Sequence, residues 1–120
     1  MTSLIIGIDL AKSVFQIHSM NARGTVLQRR KLSRSQFQTF LEKLEKGCLI
    51  AMEACGSAHH WGRMAQRLGP EVRLLPPHLV KPYVAPGKKN DANDAAAIAE
   101  AATRPHIKPV PVKTEEQQAF

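Results

Sequence analysis

The chain has 120 residues, a formal net charge of +7 and an apolar share of 43%, enough for one small α/β domain with a single core. No apolar run approaches the ~18 residues of a membrane-spanning helix, and "MTSLIIGIDLAKS" has neither the basic start nor the long apolar stretch of a secretory signal. Two cysteines, Cys48 and Cys55, make no disulfide framework, so a reducing cytoplasm is expected, and the positive balance points to a polyanionic partner, nucleic acid above all.

"SLIIGID" is short, apolar and rich in β-branched residues, and it ends on Asp9; it reads as a buried strand. "SVFQIHSM" alternates, "NARG" is a turn, and "TVLQRRKL" is a third strand. The three form an antiparallel meander. In "SRSQFQTFLEKLEKG", Ser33 and Gln36 have capping-box spacing, Phe37, Phe40, Leu41 and Leu44 share one stripe, and Gly47 suits a C-cap. "CLIAME" is a second apolar strand ending in an acid, Glu53. "GSAHHWGRMAQRLG" is a helix opened by Ser57 and closed by Gly69, with Trp61 packed on the sheet, and "EVRLLP" is a fifth strand. "PHLVKPYVAPGKKN" is broken by prolines and reads as irregular, and "DANDAAAIAEAATR" is the last full helix. The order β-β-β-α-β-α-β-loop-α predicts an α/β fold, a mixed sheet flanked by helices. The domain is expected over 1–104. Residues 105–120 read as a Pro-rich connector and a helix start at Thr114, leading into a longer protein.

The chain has three aspartates, Asp9, Asp91 and Asp94. Singly, each acid has an ordinary explanation: a turn after a strand, a solvated strand end, or a helix cap favoured by the dipole. Together they form a pattern. Asp9 and Glu53 each end an apolar strand, and ligands of open α/β sheets bind outside the carboxyl ends of strands. Asp91 and Asp94, at i and i+3, share a helical face. Four carboxylates brought together need a cation. An oxygen donor set without His or Cys suits Mg²⁺ or Mn²⁺, and two such ions are the usual device for phosphodiester chemistry.

"IGIDLAK", "AMEACGSAHHW" and "KKNDANDAAAIAEAA" occur in order and cover nearly the whole chain. They closely resemble the motifs of the DEDD-type transposases of bacterial insertion sequences. The resemblance implies a RuvC-like, ribonuclease-H-like domain with Asp9, Glu53, Asp91 and Asp94 as the catalytic tetrad. It also implies Mg²⁺-dependent (or Mn²⁺-dependent) DNA strand cleavage and exchange in transposition, a guide RNA, and a homo-oligomer in the full-length protein. The action would be in the bacterial cytoplasm, at the nucleoid. It further implies a C-terminal domain with a serine nucleophile, which nothing in this chain matches.

Lys12, Lys88 and Lys89 flank the acids and are expected at phosphates, while Arg29, Arg30 and Lys31 form a denser basic run that can touch RNA or DNA. Cys55, His59 and His60 are zinc-ligand types without a second paired motif, and both cysteines read as small buried side chains. Three competing functions stay open. One is a phosphotransferase of the actin and sugar-kinase type, although Leu10 and Ala11 stand where its phosphate loop has glycine. The others are a non-catalytic nucleic-acid-binding module and a junction-resolving nuclease of RuvC type.

Overall fold

The computed structural model describes residues 4–10, 13–84 and 91–119, with 91–93 described by their backbone alone. Among them are five strands, Leu4–Leu10 (β1), Val14–Asn21 (β2), Val26–Ser33 (β3), Cys48–Glu53 (β4) and Glu71–Leu75 (β5), joined in one sheet in the order β3-β2-β1-β4-β5. β1 to β3 form the expected antiparallel meander. The turn between β2 and β3 is built by Asn21, whose Oδ1 accepts from the amides of Arg23 at 2.9 Å and Thr25 at 3.0 Å, and by Gly24 at φ 87°, a value that favours glycine. β4 then pairs parallel with β1, and β5 parallel with β4. The crossovers are the helices Arg34–Glu42 (α1) and Gly56–Leu68 (α2).

Residue parity separates two cores. Ile6, Ile8, Phe15, Ile17, Leu32, Ile50, Met52 and Leu74 point to one face, where α1 and α2 bring Phe37, Leu41 and Trp61. Phe15 stacks on Phe37 at 4.5 Å, and Trp61 meets both rings edge-on at 5.4 and 4.9 Å. Ile5, Met20, Leu49, Ala51 and Leu75 point to the other face, against the helix Asp91–Ala102 (α4). That helix is rich in alanine and comes very close to the sheet. A Cβ added to Gly7 would lie 2.6 Å from Ala99 N and would also collide with the Ala95 carbonyl oxygen. Glycine is required there because helix backbone rests directly on strand backbone. The far end of α4 is fixed by Arg73, whose Nη1 donates to the Ala102 carbonyl at 2.8 Å.

Three local expectations change. Ser33 and Gln36 make both bonds of the capping box, but α1 ends at Lys43 rather than at Gly47. The chain turns early to bring Cys48 into the sheet beside Leu4, and the Cys48 amide donates back to Glu45. α2 starts at Gly56 with Cys55 as its cap residue, so Ser57 lies inside the first turn, 3.5 Å from Cys55 Sγ. The proline stretch is partly ordered. Pro77 occupies a helix-start position, where its lost amide costs nothing, and opens the helix Pro77–Val80 (α3), followed by a 3₁₀ turn at Lys81–Tyr83.

The segment after α4 folds back on the domain. Val110 forms an antiparallel bridge with Leu74, and Val112 packs at Gly62 of α2. His59 Nδ1 accepts from the Lys113 amide at 3.0 Å. Arg63 Nη1 donates to the Lys113 carbonyl at 2.7 Å and to Gln118 Oε1 at 2.6 Å. The helix start expected at Thr114 is present as a single turn, Glu115–Gln118 (α5), with its capping box complete.

Candidate active site

β1 and β4 run side by side and parallel, in a register whose last pair is Ile8 with Met52. Asp9 and Glu53 each follow one residue later, at the same end of neighbouring strands in the middle of the sheet. Side chains at matched positions of paired strands share a face. For this pair it is the face of Gly7 and Ala51, the face that α4 covers. Both carboxylates also line a cleft of about 200 Å³ with Leu10, Cys55 and Pro77. Cys55 is exposed here, unlike the buried Cys48.

Ala95 and Ala99 sit over Gly7, so Asp94 enters α4 one residue before that contact. Its charge is felt at the strand ends. Burial pushes the Glu53 carboxyl above its ordinary value, and the negative charge of Asp94 pushes it further. Glu53 and Asp94 therefore belong to one electrostatic neighbourhood, assembled from β4 and α4 and anchored beside Asp9. Among the described residues, no three His, Cys, Asp or Glu side chains come close enough together to hold a metal ion. The side chain of Asp91, and Lys12, Lys88 and Lys89, lie outside the described residues.

The basic run divides by parity. Lys31 pairs with Gln16 and Arg29 with His18, on the face of the acids. Arg30 pairs with Ile17 on the opposite face and lies over the Phe40 ring at 5.8 Å. His59, considered as a zinc ligand, instead receives the Lys113 amide. Gly7 was missed by sequence reading. Its signal is its position two residues before Asp9, hence on the same face of a strand otherwise built from large side chains.

A model of the IS110-type DEDD family, described as "Transposase", matches residues 6–120. The chain belongs to this transposase family. Similar proteins include a "Probable family 20 transposase" of Pseudomonas aeruginosa, 55% identical over 95% of this chain. Others are the transposase for insertion sequence element IS1111A of Coxiella burnetii, 46% identical over 95% of the chain, and that for IS1328 of Yersinia enterocolitica, 44% over 97%. The chain spans about a third of the length of these curated relatives, covering 33%, 31% and 34% of them. Among solved structures, T. thermophilus RuvC in complex with a Holliday junction substrate matches with a TM-score of 0.65 at 14% identity, over 89% of this chain and 99% of that one. That likeness establishes a RuvC-like, ribonuclease-H-like fold for this member of the transposase family.

Proposed function

We propose that this chain forms the metal-dependent, DNA-cutting domain of a transposase, with Asp9, Glu53, Asp91 and Asp94 as its catalytic carboxylates. One observation carries the reading: Glu53, beside Asp9 at the end of a parallel strand, has its proton affinity raised by burial and by Asp94. Like charges held together in a half-buried site are stabilised by a cation. The donor set is all oxygen, which fits Mg²⁺ or Mn²⁺, as two ions. Such ions, when bound, activate the attacking oxygen and stabilise the leaving oxygen of a phosphodiester. The protein's part is placement. Asp9 and Glu53 stand on the central strands, and Asp94 stands on a helix held by backbone contact. Lys12, Lys88 and Lys89, adjacent in sequence to these acids, would meet phosphates.

In this reading residues 1–104 form the domain, and 105–120 continue from it while packing back on it through the Val110–Leu74 bridge and the Lys113–His59 hydrogen bond. Since the relatives are about three times as long, strand exchange, a guide RNA and homo-oligomerisation belong to the whole protein, acting on DNA in the cytoplasm. The 120-residue chain should bind nucleic acid without recombining donor and target plasmids.

Calorimetric titration with Mn²⁺, in the presence of a short DNA duplex, tests the site. Wild type should bind and Asp9→Asn should not; equal affinity in the two would sink the proposal. The RuvC-like fold also favours a second reading, a junction-resolving nuclease. That reading requires tighter binding to a four-way junction than to linear duplex of the same sequence.

A further inference from the structure

The sheet register carries the site beyond its acids. Asp9 pairs with Gln16, and Gln16 pairs with Lys31. Glu53, Asp9, Gln16 and Lys31 therefore form one row across β4, β1, β2 and β3, all on the same face of the sheet. Paired strands lie ~4.8 Å apart, so Lys31 stands ~10 Å from Asp9 across the sheet. Arg29 lies on the same face one row down, opposite His18, and its charge helps to hold the buried His18 in its neutral form. Gln16 is half-buried, Lys31 and Arg29 are exposed, and β3 is the sheet edge. Neither cation has an acidic partner among the described residues.

We infer that a DNA strand enters over the β3 edge and runs across this row toward the acids. Lys31 and Arg29 hold its phosphates, and the Gln16 side-chain amide donates to the backbone between them and Asp9. The inference rests on the phosphodiester reading of the carboxylates and adds a direction and an anchor to it. Arg30, between the two cations in sequence, takes no part. Its side chain points to the other face and is held over Phe40.

The contrast between adjacent residues makes the test. Binding of a fluorescein-labelled 20-base-pair DNA duplex is followed by anisotropy across a salt series for wild type, Lys31→Gln, Arg29→Gln, Arg30→Gln and Gln16→Ala. Each phosphate contact contributes ~0.9 to the log–log salt slope. Lys31→Gln and Arg29→Gln should each reduce the slope by about that amount, leaving binding roughly threefold less sensitive between ~50 and ~200 mM salt. Gln16→Ala should weaken binding at every salt concentration with the slope unchanged, since a neutral donor releases no counterion. Arg30→Gln should match wild type. An Arg30→Gln slope loss equal to that of Lys31→Gln, or an unchanged slope in Lys31→Gln, would overturn the inference. Asp9→Asn titrated with Mn²⁺ keeps the two readings apart. Loss of Mn²⁺ binding there, with no effect of Lys31→Gln, removes the track and leaves the carboxylate site standing. Retained Mn²⁺ binding with a reduced Lys31→Gln slope removes the carboxylate site instead.

Discussion

A methyl group at position 7 should displace the acids without touching any of them. In Gly7→Ala the new Cβ would lie 2.6 Å from Ala99 N and 2.8 Å from Ala99 Cβ, and would meet the Ala95 carbonyl oxygen closer still. Ordinary contacts between such atoms are ~3.5–4 Å, so α4 must move away from β1 by about 1 Å. The obstacle is helix backbone, which no rotamer change can relieve. Overpacking of this kind costs ~1–3 kcal/mol, a fall in Tm of roughly 4–12 °C for a domain of this size. Catalytic groups must be held to within ~0.5 Å, so Mn²⁺ binding should weaken more than folding does. Gly47→Ala is the control, since a Cβ there meets nothing within 4 Å. Thermal melts and Mn²⁺ titrations of the three proteins decide the matter. A Gly7→Ala protein melting within about 1 °C of wild type, with unchanged metal affinity, would refute the claim that backbone contact at Gly7 positions α4.

Glu53→Gln should raise the metal-free Tm at neutral pH by a few °C. The folded carboxyl is raised above its ordinary value of 4.5, so its ionisation costs stability as pH rises through the folded value; Mn²⁺ should reverse the order, and a lower metal-free Tm would count against the crowding of acids. His59 is held below its ordinary value of 6.5 by burial and by the charges of Lys113 and Arg63. Its neutral-state stability is thus complete above ~6.5 and lost as pH falls toward the folded value. Melts at pH 7.5 and 5.5 should show that loss, and His59→Asn, which keeps an acceptor for the Lys113 amide, should shrink it. Trp61→Ala should cost ~3–5 kcal/mol in urea denaturation, because Trp61 is 3% exposed and touches both Phe15 and Phe37.

The strands, and the acids Asp9 and Glu53 at the ends of two of them, were legible in the sequence, because strand ends follow apolar runs. The Ser33–Gln36 box was equally legible, since both of its bonds are local. Gly47 and Ser57 misled for the converse reason. Each is a good cap by composition, but the end of α1 is set by where Cys48 must join the sheet, and the start of α2 by where Glu53 leaves it. The run Arg29–Arg30–Lys31 looked like one patch. Only pairing with β2 reveals that it faces two ways. The contact of Gly7 with Ala95 and Ala99 depends on a helix far along the chain, and no local pattern encodes it. The docking of Lys113 onto His59 was hidden for the same reason, beneath a composition that reads as a linker.

The seating of the last long helix on the first strand also bears on biosynthesis. The meander is made of neighbouring segments and can form as soon as it leaves the ribosome, whereas α4 pairs residues from the two ends of the domain, and such distant contacts form late. A nascent chain halted before residue 91 would display Asp9 and Glu53 at the end of an uncovered sheet, without either aspartate of α4. Asp9 and Glu53 are therefore joined by Asp94 only when the whole domain has been made.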